Sequence, residues 1–434
     1  MNSLWKQTVR LPQFPTLETD AETDVLIIGG GMAGLLCAYR LKQAGVRCLL
    51  AEAQRICGGV TGCTTAKITA QHGFCYAPLL KQLGRERAEM YLQANLQAVE
   101  EYRRLCREID CDFEEQSAFA YSTSGREVLE EELEALRRLG YPARLAEKLP
   151  LPLDTDGAVE FSDQAQFHPL KFAAAIAGDL PILENTMVLQ WDGKQALCSG
   201  GRTIRAKRAI IATHFPFWNR RGCYFLKLYQ ERHYVLALEG ADPVDGMYVD
   251  GSGQGFSFRM AGTRLLFGGG SHRTGKKGGG WRELEDFAVQ NYPGSREYGR
   301  WAAQDCMSLD GAPYIGPYGS RTPETLVAAG FNTWGMTSSM VAAHLLTCEI
   351  LGRPWEFAPA FAPSRSIFKK QLLINGLEAA GNLLRPTSPR CTHLGCALHW
   401  NKTEHSWDCA CHGSRFDGEG TVLENPAMRN LKKR

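Results

Sequence analysis

Asp24-Val-Leu-Ile-Ile28-Gly29-Gly-Gly31-Met-Ala-Gly34 is the stretch on which the fold turns. Asp24 to Ile28 reads as a buried parallel strand, and it runs without a spacer into a glycine pattern and a helix. Each glycine has a physical task. Gly29 allows the tight turn, Gly31 lets the backbone approach a pyrophosphate, and Gly34 lets the helix pack on the strand. The phosphates would sit at the helix N-terminus, where free N–H groups and the helix dipole favour negative charge. Leu35 to Ala44 continues the helix and Gly45 ends it; Val46 to Ala51 is the next strand. Glu52 at its end stands eighteen residues after Gly34, where an acid accepts the ribose hydroxyls. A lone GxGxxG is weak, but strand, helix, helix stop and acid together predict a dinucleotide site.

Behind the ribose-binding strand lies another small-residue loop, Gly58-Gly-Val-Thr-Gly62-Cys-Thr-Thr-Ala-Lys67. Asn185 to Gln190 then precedes the strand Arg208-Ala-Ile-Ile-Ala212-Thr213. Later come Leu309-Asp-Gly-Ala-Pro-Tyr-Ile-Gly316 and Ala329-Gly330-Phe-Asn-Thr-Trp-Gly335-Met336-Thr337. In this order the motifs resemble the D-amino acid oxidase, glycine oxidase and sarcosine oxidase family of flavoenzymes, over roughly residues 22 to 355. The resemblance implies FAD rather than NAD. It also implies an α/β FAD-binding domain, Rossmann-like and of glutathione-reductase type, carrying an inserted α+β substrate domain. Thr61 and Thr65 would bind the cofactor, and the Val188 backbone would meet the adenine. Gly330, Gly335, Met336 and Thr337 would form the carboxy-terminal flavin segment, in which a helix from Thr337 to about Leu351 points its N-terminus at the isoalloxazine carbonyl.

Cys391-Thr392-His393 and, after fifteen intervening residues, Cys409-Ala410-Cys411-His412 form two Cys/His pairs. By residue type these are either a tetrahedral zinc set or a Rieske-type [2Fe-2S] site, with two thiolates on one iron and two imidazoles on the other. Gly395, Gly413 and Ser414 favour the cluster, whose sulfides need small residues and a hydroxyl pressed against them. The strings Cys391-Thr-His-Leu-Gly-Cys396 and Cys409-Ala-Cys411-His-Gly-Ser414 resemble both cluster-binding loops of the Rieske family. The resemblance implies Cys391, His393, Cys409 and His412 as ligands, and Cys396 and Cys411 as candidates for a loop-tying disulfide. Phe416 stands where many high-potential members carry a Tyr, which implies a lower potential here. Only 27 residues, Ser364 to Arg390, precede Cys391 after the linker, so a truncated, small all-β segment leaning on the flavin domain is expected.

With 434 residues the chain has room for two to four domains. We place the FAD-binding domain at 22–75, 155–225 and 305–355, and the cap or substrate domain at 76–154 and 226–304. A Pro- and Ala-rich linker at 356–364 leads to the Rieske domain at 365–434. Ala88, Tyr91, Leu92, Val99, Tyr102 and Leu105 make one helical stripe, so a cap helix is predicted over Arg85 to Ile109. A second is predicted over about Arg126 to Leu139, and strands over Tyr229 to Gly269. A net charge of +2 argues neither for a nucleic-acid partner nor for an anionic membrane surface, and no nucleic-acid partner is expected. The chain lacks the ~18-residue apolar run of a membrane span, and Met1 to Asp24 lacks a secretory pattern. Fifteen cysteines without an export signal then suggest reduced thiols and a cytoplasmic location.

The chemistry that these parts imply is oxidation of a C–N bond in an amine or N-substituted amino acid, with flavin converting a two-electron step into single electrons for the iron. The flavoenzyme family relies on orientation and a deprotonated amine rather than on a nucleophile. Its amino-acid members carry an Arg about five residues before the Asp-Gly-x-Pro string, and here that position is Asp305. An acid there would repel a carboxylate and attract an ammonium, with Arg259 on a neighbouring strand as the substitute clamp. His72 is expected to face the flavin ring; His272 is a weaker candidate, and Cys57 and Cys63 are candidate covalent anchors. Gly270-Ser-His-Arg-Thr-Gly275-Lys276-Lys277 fits the start of a nucleotide P-loop, but Lys277 replaces the Mg-binding hydroxyl. We read it as a glycine-rich loop near the flavin or over the substrate. The electrons would leave to an external acceptor protein. The alternative is a flavin/Rieske electron-transfer or redox-sensing module with no organic substrate of its own. A single dinucleotide fingerprint speaks against an internal NAD(P)H site, and the lack of a 2-His-1-carboxylate motif against a mononuclear oxygenase iron.

Overall fold

The strand Ala21–Ile28 lies inside a largely parallel sheet, between Thr203–Ile211 and Cys48–Ala51. Ile182–Leu183 extends the sheet beyond Cys48–Ala51, and Thr325–Ala329 and Tyr314–Pro317 extend it beyond Thr203–Ile211. Leu26, Ile27, Leu50, Ile210 and Ile211 are fully buried, as a parallel sheet covered on both faces requires. The helix Met32–Gln43 leaves the glycine turn and packs against the helix Gly335–Ile350. Both expected helices of the flavin domain are therefore present, shifted by two or three residues at their starts. The computed structural model describes residues 3–218, 222–386 and 389–432.

A second sheet runs in the order Arg296–Ser308, Leu228–Glu239, Arg264–Arg273, Ser257–Ala261, Met247–Asp250, Glu114–Tyr121, Ala158–Gln166 and Lys67–Ile68, with Arg144–Ala146 on the flank of Ala158–Gln166. The cap helices are Arg85–Cys106 and Glu127–Arg138. Two expected boundaries move. Ala158–Gln166, placed by sequence in the flavin domain, pairs with Glu114–Tyr121 in the second sheet, and Arg296–Ser308 carries Asp305 there as well. The reason is register: the long strand Leu228–Glu239 runs antiparallel to Arg296–Ser308 from Leu228/Ser308 to Glu239/Arg296.

The carboxy-terminal sheet is small, Leu398–Asn401, Ser406–Cys409, Arg415–Phe416 and Val422–Glu424. Its buried hydrophobic cluster is Cys391, Cys396, Leu398, Cys409, Cys411, Phe416 and Ala427, four of them cysteines. So little apolar burial cannot hold a domain of this size alone. The rest of its anchorage comes from the second sheet. Arg232 donates to Glu404 and, at 2.9 Å, to Glu424, with its side chain 5% exposed. Arg415 meets Glu404, Asp408 and Glu424 from the other side. Between linker and sheet lies the helix Lys370–Leu384. No helix among the described residues is long and apolar enough to cross a membrane.

Candidate functional site

The glycine turn has the cradle geometry that its sequence implied. Gly29 has φ +111°, and a Cβ there would stand 2.5 Å from the Ala212 carbonyl oxygen. At Gly34 a Cβ would fall 1.9 Å from the Gly29 oxygen, so any larger residue forces the helix off the strand. Glu52 accepts from the Gly30 N–H at 2.7 Å and the Gln54 N–H at 2.9 Å, at the end of its strand. Thr61 Oγ1 accepts from the Met32 N–H, and buried Val188 opens a strand whose preceding residues bond to the backbone around Glu52. These groups fit an ADP moiety at the helix N-terminus.

The flavin-side loop is held by a segment that the sequence reading treated as featureless. The short helix Leu4–Thr8 buries Leu4 and Trp5. Ser3 Oγ donates to the Gly62 carbonyl, Trp5 Nε1 to that of Thr64 at 2.6 Å and Lys6 Nζ to that of Gly58 at 2.6 Å. Trp301 Nε1 reaches the Cys63 carbonyl from the second sheet. Burial pushes the Cys57 and Cys63 thiols up, away from the thiolate form. Thr65 lies 3.4 Å from Lys67 Nζ. Lys67 is buried, and desolvation with the charge of Arg259 lowers its pKa to about 7. Arg259 is itself buried, donates to the Ala66 and Met260 carbonyls, and is lowered by desolvation to about 9. The sequence named Arg259 but missed Lys67, although the isolated Lys in an otherwise small-residue loop was visible.

His72 sits between the cap and the carboxy-terminal flavin segment. Its Nδ1 contacts Tyr91 OH at 2.6 Å, its Nε2 Thr337 Oγ1 at 3.0 Å, and its ring stacks on Trp334 at 4.8 Å. Burial lowers it to about 3, so it is a neutral imidazole. Gly330 has φ +71°, and a Cβ there would crowd Leu228 and Ser308; Gly335 begins the helix, and Met336 follows, its carbonyl accepting from Tyr102 OH. Asp305 belongs to a different group. It lies 3.7 Å from His233 Nε2, and desolvation raises its pKa to about 6. His272 bonds Tyr234 OH in the same sheet. The structure thus brings His72 together with Thr337, and Arg259 with the flavin loop, and sets Asp305 apart beside His233.

The Cys/His pocket is built from both expected loops. Cys396, Cys409 and Cys411 present sulfurs within 4.8 Å of one another, and Cys391 hydrogen-bonds Cys409 and Ser414. Cys396 and Cys411 are free thiols in this structure. The His393 and His412 rings are 4.9 Å apart. Burial lowers His393 to about 3 and His412 to about 4, keeping both neutral as ligation requires. His412 Nε2 donates to the Phe225 carbonyl at 2.9 Å, while its Nδ1 is buried without a partner. One ring nitrogen fixed by a carbonyl and the other left bare is the arrangement of a metal-binding imidazole.

The loop Gly270 to Lys277 is neither a phosphate loop nor, as expected above, a flavin or substrate flap. A Cβ on Gly275, at φ +76°, would stand 2.6 Å from the Ala410 nitrogen, and Arg273 donates to the Ala410 and Cys411 carbonyls. It clasps the second cysteine loop. Gln230 Nε2 donates to the His412 and Asn425 carbonyls, and Gln304 Nε2 to that of Gly413 at 2.8 Å. Gly413, at φ +86°, leaves no room for a side chain against Gln230. Asn425 Nδ2 donates at 2.6 Å to the carbonyl of Thr213, whose Cα lies 3.3 Å from where a Gly29 Cβ would be. One residue therefore touches both the dinucleotide turn and the cysteine module.

Residues 24–349 match the family of FAD dependent oxidoreductases, and residues 356–434 match the Rieske [2Fe-2S] domain. Over its whole length the chain is similar to the Rieske 2Fe-2S iron-sulfur protein YhfW of Bacillus subtilis (strain 168), 33% identical with 99% of this chain and 96% of the relative covered. A stretch of 42 residues is 52% identical to cytochrome b6-f complex iron-sulfur subunit 2 of Trichormus variabilis, covering 10% of this chain and 24% of that subunit. Among solved structures, glycine oxidase from Geobacillus kaustophilus superposes with a TM-score of 0.67 at 20% identity, covering 80% of this chain and 99% of that one. L-proline dehydrogenase from P. horikoshii gives 0.66 at 16%, covering 80% and 98%. These two show the shared fold. FAD and a [2Fe-2S] cluster are the cofactors, and the zinc reading falls.

Proposed function

We propose, from the premise that this chain belongs to the family of FAD dependent oxidoreductases and ends in a Rieske [2Fe-2S] domain, that it is a dehydrogenase for a C–N bond of an amine or N-substituted amino acid. Electrons would pass from flavin through the cluster to an external acceptor. The supporting observation is the double contact of Thr213, which leans on the glycine turn and holds Asn425 of the Rieske segment. Bound FAD would supply the hydride acceptor, and the cluster a one-electron outlet. The chain's own residues position both. Neutral His72 on Thr337 and Trp334 shapes the ring-side wall without adding charge. Buried Arg259, still charged at neutral pH, with Lys67 partly protonated beside it, makes the flavin side electropositive, which suits a reduced flavin or a substrate carboxylate. That pair answers the objection that Asp305 raises to an amino-acid substrate, because Asp305 lies beside His233 instead.

The test is an anaerobic screen of amines, imino acids and N-methyl amino acids against the flavin absorption. Bleaching by one of these classes is expected. Absence of bleaching by all of them, with dithionite still reducing the protein, would favour the electron-transfer module without a substrate.

A further inference from the structure

The helix Lys370–Leu384 is inside out. Its polar residues Gln371, Asn375, Glu378 and Asn382 recur at helical spacing on one stripe, and that stripe faces the protein. Asn375 is 8% exposed and accepts from Arg273 at 2.8 Å; Asn382 is 5% exposed and contacts His399 at 2.7 Å; Glu378 pairs with Lys276 at 2.6 Å. The opposite stripe is apolar and points outward. Leu373 and Leu377 are each 67% exposed, Leu384 is 83% and Phe368, just before the helix, 88%. Other exposed large apolar residues, such as Val289 and Leu423, are scattered, whereas Phe368, Leu373, Ile374, Leu377, Leu383 and Leu384 gather on and beside this one helix.

We propose that this face seats the protein on an anionic phospholipid surface, with the helix lying in the interface plane. Charge selects that occupant. Exposed Lys370 and Arg385 flank the apolar stripe, and the helix's one acid, Glu378, is turned inward and neutralised by Lys276. A second copy packed antiparallel would set Lys370 against Arg385, and packed parallel would set each cation against itself. Acidic headgroups complement both ends at once, while the leucines enter the headgroup–acyl boundary as in other interfacial helices. The net charge of +2 gave no hint of this, because it averages over the whole surface. The helix also lies close to the redox centre, since Arg273, which holds Asn375, holds the cysteine loop through Ala410 and Cys411. The surface stands on its own and does not rest on the substrate reading.

The experiment is flotation of the full, flavin-loaded chain with phosphatidylcholine vesicles, with and without phosphatidylglycerol, at low and high salt. Binding to the anionic vesicles, weakened by salt, is expected. The double variant L373E/L377E should lower partition by about a hundredfold, roughly tenfold for each lost leucine, with flavin absorption retained. K370Q should cost about fivefold on anionic vesicles and little on neutral ones. Failure to bind either vesicle, or equal binding by L373E/L377E, would overturn the proposal. So would a dimer in light scattering that L377E turns into a monomer, which would assign the face to a second copy.

Discussion

The glycine turn and the cysteine pocket are both buried, but they are held by opposite means. Around Gly29 to Gly34 the chain supplies its own support: a parallel sheet of fully buried aliphatics, a helix docked at Gly34, and an acid eighteen residues on. The pocket at Cys391 to Ser414 has few apolar residues beneath it and is held by side chains from distant strands, Gln230, Arg232, Arg273 and Gln304. A large domain can fix a cofactor by packing, whereas a module of this size fixes one by borrowed polar contacts and by its metal.

The comparison can be broken at either end, and the largest effect is expected at the turn. Gly34→Val places atoms where the Gly29 oxygen lies, so the purified protein should lose its flavin absorption entirely. If flavin is retained, the cradle is looser than the packing implies. Next in size is Arg232→Ala, which leaves buried Glu404 with one cation, Arg415, in place of two and should cost about 3–5 kcal/mol at the docking surface. Iron content and cluster absorption should fall while flavin stays; joint loss of both would show one cooperative unit rather than two.

Asp305 sharpens the contrast through pH. Its folded pKa of about 6 lies above the ordinary 3.8 because burial disfavours the charge, and His233, lowered to about 4 by burial, offers no compensating cation above that pH. Between these values the folded protein binds a proton that the unfolded chain does not, so stability is lost as pH rises from about 4 to 6 and stays lost beyond. Asp305→Asn should therefore melt near wild type at the acid end and be more stable by up to roughly 3 kcal/mol above pH ~6. A gain that is constant with pH would show that Asp305 is ionised throughout. The smallest effect concerns Phe416, fully buried beside the cluster loops. Phe416→Tyr should raise the cluster potential by about 40 mV, the equivalent of one hydrogen bond of about 1 kcal/mol, measured by redox titration.

What was legible in the sequence follows from range. The turn, its helix and Glu52 were readable because their physics lies within one strand–helix–strand unit. The Cys/His pairs were readable because ligand chemistry needs those residue types at those spacings. The docking was not, since Arg232 and Glu404 are 172 positions apart and Gln230 and His412 182. Gly275 illustrates the failure well: its glycine was visible, but the backbone it makes room for, at Ala410, was not. The helix Lys370–Leu384 went unread, and its polar stripe alone would not have said which face turns inward, because here the polar face does. Ser3 to Thr8 escaped because a single turn of helix has no period to detect.

The central claim is that the flavin and the Rieske cluster work as one redox unit on a single body. The direct measurement is low-temperature EPR of anaerobic protein reduced by an amine that bleaches the flavin, frozen as the absorption falls. The account predicts a rhombic Rieske signal growing as the flavin bleaches. A bleached flavin beside an EPR-silent cluster that dithionite can still reduce would contradict it.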